Sequence, residues 1–254
     1  MKKLNIKVVL VLLLLLNTIS LTAQELYGKV TYKQRLGEKL NDSIANKKYG
    51  DVYKNTMDFI SESIVKNCDN FEYNLKFNRD ESVFVGIKKL QNEADKGYKL
   101  AEKFSRVDDV FYLNIKSSQK LVQKESFGEL FVIEYNLSDI KWELVNKTKV
   151  INNYKCFMAT TTKIVKNSKG IFKKPVIAWY TTEIPLNFGP KGYGNLPGLI
   201  LELQEDKLIF YATKIKLNPK KSIKIVKPNK GKMLTSKEFE LRMKKVSKNL
   251  WIGR

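Results

Sequence analysis

Phe71-Glu72-Tyr73-Asn74-Leu75-Lys76-Phe77-Asn78 places its three rings and its leucine at odd positions and its polar side chains at even ones. Successive side chains of a strand point to opposite faces, so the stretch reads as a strand with one buried face. The same period of two recurs on either side. Val30, Tyr32 and Gln34 begin it, and a second short strand over 83–87 follows the turn-like Asn78-Arg79-Asp80. Further strands are expected over 110–115, 120–122, 130–135, 141–145, 154–165, 175–182, 199–204, 207–217 and 222–226, with turns at 167–170 and at Glu205-Asp206. The fold class is therefore mainly β: an antiparallel meander forming a curved sheet or half-barrel, whose buried face needs a cover.

Two helices are expected beside the strands. One is short, near 51–66, with Val52, Met57, Ile60 and Ile64 near one stripe. The other is an amphipathic C-terminal helix over about 236–250. Its start has a capping box, Thr235-Ser236-Lys237-Glu238, in which hydroxyl and carboxylate each satisfy a free backbone N–H. Phe239, Met243, Val246 and Leu250 form its apolar stripe, and Lys237, Lys244, Lys245 and Lys248 lie opposite. Residues 88–104 are charged and poorly periodic, and read as a mobile excursion. No repeat or composition shift divides the chain further, so residues 24–254 read as a single domain.

Residues 1–23 read as a cleavable signal peptide. Lys2, Lys3 and Lys7 give a positive start, residues 8–16 form an unbroken apolar run, and residues 17–23 end on Ala23 at the expected cut. The run has nine residues, against about 20 for a membrane span. Export directs the domain to an envelope compartment, the periplasm or the cell surface, or out of the cell. It also makes a disulfide possible between Cys68 and Cys156, the only cysteines, with two separate buried thiols as the alternative.

The chain has no histidine. That excludes a Ser-His-Asp triad, a Cys-His pair and every histidine-based metal site, and two cysteines cannot close a zinc site alone. No catalytic residue, metal or cofactor is expected. The net charge is +21, and residues 207–254 hold 15 Lys and Arg against Glu238 and Glu240. Export argues against a nucleic-acid partner for this basic end. It leaves an acidic envelope protein, peripheral contact with an anionic membrane, or a plain solvated surface.

Residues 178–203, AWYTTEIPLNFGPKGYGNLPGLILEL, read as strand, ordered loop, strand. Pro185, Pro190 and Pro197 fix φ and lack a donor; Gly189, Gly192, Gly194 and Gly198 permit positive φ. Pro197-Gly198 suits the centre of a type II turn. Trp179, Tyr180, Phe188 and Tyr193 make the loop either an aromatic binding rim or a cover for one end of the sheet. Together with Trp142-Glu143-Leu144, the run from Lys149 to Ala159, and Gly189-Pro190, this segment resembles the GLPGLI family of secreted Gram-negative proteins. Asn195 stands where the namesake motif begins with glycine. Asn tolerates left-handed backbone next best, so the turn is expected to survive. The pattern also looks like that of half-barrel lipoprotein-carrier-like domains. The family implies no activity.

The function expected from all this is a non-catalytic envelope domain. It would bind an apolar or lipid-like ligand, or a partner segment, at the 183–198 loop through Trp179, Tyr180, Glu183, Pro185, Phe188, Gly189, Pro190, Tyr193, Leu196, Pro197 and Gly198. An accessory role in assembling an outer-membrane complex is the alternative. A carboxylate hydrolase built on Glu183 and Glu202 is a remote third, since such chemistry needs two convergent carboxyls.

Overall fold

The computed structural model describes residues 26–37, 43–68, 70–88, 95–167 and 170–252; the expected signal peptide lies outside them. The chain is mostly β, in one large mixed sheet that does not close. The first strand, β1 (Gly28–Leu36), sits centrally. On one side of it run β2 (Glu72–Phe77), β3 (Glu81–Ile87), β4 (Val110–Asn114), β5 (Gln119–Ser126) and β6 (Glu129–Asn136) as a meander. On the other side lie, outward, β11 (Leu208–Leu217), β10 (Leu199–Glu205), β9 (Gly170–Thr181), β8 (Tyr154–Asn167) and β7 (Glu143–Ile151). These neighbours pair antiparallel; β12 (Lys232–Thr235) adds to β6 in parallel. The meander expectation thus holds in two halves, joined by the pairing of β1 with β11.

The helices are α1 (Ser43–Cys68), interrupted at Gly50 (φ 71°, ψ −167°), α2 (Lys96–Ser105) and α3 (Ser236–Ile252). α3 approaches both β6 and β8. Those strands are nine places apart in the sheet order, which in a flat sheet would be about 43 Å, whereas a helix is about 10 Å wide. The sheet must therefore curl around α3. Register shifts at Thr31/Tyr32, Ile200/Glu202 and Val145/Thr148 provide bends, since an extra residue in one strand raises local twist.

The inner face is the core. Tyr73, Leu75 and Phe77 are buried as their alternation requires, and Val30, Tyr32 and Gln34 continue the layer on β1. Tyr73 stacks on Phe84 at 5.3 Å, and Phe210 meets Tyr73 edge-on at 5.2 Å, an arrangement that the ring quadrupole favours. The buried Tyr32 hydroxyl donates to Ile200 O at 2.6 Å, tying β1 to β10.

Three expectations change. Residues 96–105 of the expected excursion form α2. The Asp95 side chain caps it through Tyr98 N at 3.0 Å, and Tyr98, Ala101 and Ser105 are its buried face. Residues 222–226 are not a strand. Pro219 and Pro228 bracket the segment, and its Ile225 packs on Tyr112, Leu121 and Val132 behind the sheet. In α1 the expected stripe starts late: Ile64 is fully buried and Val52 is exposed.

Candidate functional site

The 183–198 loop folds inward. Past the end of β9, Leu186 N donates to Ile184 O (2.8 Å), Leu199 N to the same oxygen (3.0 Å) and Ile200 N to Phe188 O (2.9 Å). These bonds satisfy the loop backbone locally, which lets it be buried. Pro190–Gly192 forms a single 3-10 turn that touches β3, β4 and β5. Phe188 is fully buried, its ring 6.4 Å from that of Phe77. The Trp142 indole donates to Gly194 O at 2.8 Å and pins the return limb.

Of the two roles expected for the loop's aromatics, binding rim or cover, the structure shows the cover: the rings plug the curled sheet. Tyr180, Phe188, Gly189, Pro190, Tyr193, Leu196 and Gly198 are buried, Trp179 is half-buried, and only Glu183, Pro185 and Pro197 of the expected site residues are exposed. The type II turn is corrected. Among the four glycines of the loop only Gly192 has positive φ (65°), while Asn195 takes the left-handed place at 64°. Gly198 is needed for space, because a Cβ there would stand 2.0 Å from Thr181 O.

The other expected groups are scattered. Glu183 accepts Lys155 N at 2.9 Å, and Glu202 on β10 is held by Lys149 at 2.7 Å and Arg35 at 3.8 Å. Each carboxylate already has its partner. Cys156 is a buried free thiol that donates to Tyr154 O at 3.6 Å, and burial pushes it up to about 11. Cys68 ends α1, and its side chain lies outside the described residues. Among the described residues no group of three or more His, Cys, Asp or Glu could hold a metal.

What the loop does bring together is charge. Its 3-10 turn carries Lys191 into the concavity, with a left-handed φ of 56°, and there Nζ meets Glu205 Oε1 at 2.7 Å. Lys163 of β8 reaches the same oxygen at 2.9 Å, and the Tyr193 hydroxyl donates to Oε2 at 2.8 Å. Burial would raise Glu205, but the Lys191 and Lys163 ammoniums outweigh it and hold the carboxyl well below its usual range. The same burial raises Tyr193 well above its ordinary value, with Glu205 adding to the effect.

Lys120 and Lys124 of β5 face this group from the other wall. They sit two residues either side of the inward Val122, so the pleat points all three the same way. Lys120 Nζ lies 4.9 Å from the Tyr193 ring centre, and Lys124 Nζ lies 4.4 Å from that of Phe239 on α3. Arg106, at the end of α2, pairs with Asp109 at 3.3 Å nearby. Both lysines are half-buried, and among the described residues neither has a carboxylate partner. Burial, reinforced by Lys163 and Lys191 and opposed by Glu205, lowers Lys120 to about 7. Burial and Arg106 lower Lys124 to about 8, against the pull of Asp109. Among the described residues, the interior thus gathers Arg106, Lys120, Lys124, Lys163 and Lys191 around Asp109 and Glu205.

Sequence reasoning missed these lysines. The signal was a basic residue at each inward position flanking Val122, but both faces of β5 carry apolar side chains, Leu121 and Val122, so the phase was ambiguous.

Residues 171–202, which span β9, the plug and the start of β10, match a family described as a protein of unknown function (Porph_ging). No curated protein matches the chain. Two crystal structures of PNGF-II, in different space groups, are similar over 86% of this chain, each at a TM-score of 0.50 and 16% identity. The chain spans 33% and 32% of their lengths, and the likeness is one of fold.

Proposed function

We propose that this is an exported, non-catalytic envelope domain of the GLPGLI type that holds the anionic head of a small amphiphile inside its curled sheet. The observation that carries the reading is the pair Lys120 and Lys124: two half-buried amines beside aromatic rings, in an excess of positive charge. Half-buried cations without a counter-charge are costly, and a carboxylate, phosphate or sulfate between β5 and the plug would supply it. The rings of Tyr193 and Phe239, themselves buried, stand beside these two amines. The loop named from sequence takes part as the inner wall, through Lys191 and Tyr193, instead of as an outer rim.

The test is a calorimetric titration with inorganic sulfate at low ionic strength. Saturable binding at one site is expected, weakened at least about tenfold in each of Lys120→Met and Lys124→Met, the loss of one charge-assisted contact. These changes keep the stem and remove the charge. Wild-type affinity in both variants, or no saturable binding in the parent, would overturn the reading.

A further inference from the structure

β8 and β9 run on past their neighbours. β7 pairs with β8 only as far as Thr160, and β10 pairs with β9 only from Val176 onward. Asp206 N still donates to Pro175 O (3.0 Å), and beyond it residues 163–167 and 170–174 pair with each other alone, as a two-stranded ribbon that projects about 15 Å from the sheet. Lys163 to Glu205 and Lys174 to Asp206 (2.7 Å) anchor its base.

Beyond that base the ribbon shows exposed apolar side chains on both sides. Ile164 and Ile171 lie on one face, at 58% and 68% exposure, and Phe172, on the other, is 43% exposed. A two-stranded ribbon with bare apolar side chains is unstable in water by itself. The surrounding sequence is one-signed: residues 155–182 contain no carboxylate, while Lys163, Lys166, Lys169, Lys173 and Lys174 all fall on the ribbon or its connection.

We infer that the β8–β9 ribbon is a membrane-contacting finger that inserts its apolar side chains into the interface of an anionic bilayer. A flat protein partner can cover one face of a ribbon, whereas a lipid interface covers both. Beyond the two base lysines, Lys166, Lys169 and Lys173 would supply positive charge for the phosphate headgroups. This contact uses the outer part of the ribbon, beyond Lys163, and does not depend on Lys120 or Lys124.

The full chain is produced in a Gram-negative host, purified as the host processes it, and sedimented with vesicles. Binding to phosphatidylcholine containing about 30% phosphatidylglycerol should exceed binding to phosphatidylcholine alone by at least about tenfold and fall at high salt. The double variant Ile171→Asp/Phe172→Asp should lose at least about tenfold of that binding, with sulfate titration and thermal melting unchanged. Lys244→Gln/Lys245→Gln on α3 should retain it. As an independent reading, Phe172→Trp should add emission that brominated acyl chains quench. Unchanged binding by the aspartate variant, no preference for anionic lipid, loss in the α3 variant, or emission from Phe172→Trp unaffected by bromine would each overturn the inference.

Discussion

Glu205 gathers three donors on two oxygens: Lys191, Lys163 and the Tyr193 hydroxyl. Its side chain is 11% exposed and that of Lys191 10%, so solvent screens the pair little. Removing one member of such a pair strands the other charge. Glu205→Gln is expected to cost about 3 kcal/mol in urea unfolding at pH 7, and to loosen the plug, since Lys191 is the plug's own anchor. The pH dependence has a definite sign. The folded value of Glu205 lies below its unfolded value, so its contribution is complete above pH of about 4.3 and fades as pH falls toward the folded value. The difference between parent and variant should therefore shrink only in acid. A difference that persists unchanged there would remove the carboxylate from the role. Gly198 and Asn195 make the complementary point that side-chain size and backbone sign are separate demands. At 198 the chain needs the absence of a Cβ, and at 195 it needs left-handed φ, which Asn accepts.

At the scale of elements, α3 is the cover of the interior lysines. Its capping box forms as the sequence spells it: Glu238 N donates to Thr235 Oγ1 at 3.2 Å and Thr235 N to Glu238 Oε2 at 2.8 Å. Phe239 then packs on Phe131 and Ile133, with its ring near Lys124. Thr235→Val should weaken the start of the helix by about 1 kcal/mol. Hydrogen exchange should show faster amides in the first turns of α3 and no change in β1 or β2; protection of α3 equal to that of the parent would contradict a cap-dependent cover. Strands and the α3 cap were legible because their rules are local: period two on β2, and a hydroxyl three residues before a carboxylate. α2 was hidden because Lys96, Lys99 and Lys103 mask a buried face of only Tyr98, Ala101 and Ser105. The plug was read as ordered, but whether it formed a rim or a cover stayed open. Its prolines and glycines announce a compact loop, but which side of the sheet receives it depends on curvature, and curvature is set by register shifts between distant strands.

For the whole molecule, the pairing of β1 with β11 joins the two halves of the sheet, and its curl turns lysines from separate strands into one positive interior. The arrangement carries a linkage that can be measured. Lys120 and Lys124 have folded values near 7 and 8, below the unfolded lysine value. Folding therefore releases protons from them, and their burial cost declines as pH rises above those values. An anion seated between them favours the charged forms and reverses this, so binding takes protons up. Sulfate keeps its charge across this range, so any pH dependence belongs to the protein. Its affinity should be greatest below pH of about 7 and fall as pH rises to about 9, by up to about tenfold per pH unit for each proton taken up. Calorimetry in two buffers of different ionisation enthalpy counts those protons directly. Lys120→Met should remove the part of the dependence that begins near 7 and leave the part that begins near 8. An affinity that does not change with pH, or binding that releases protons, would mean that sulfate sits elsewhere and that the interior lysines serve only the fold.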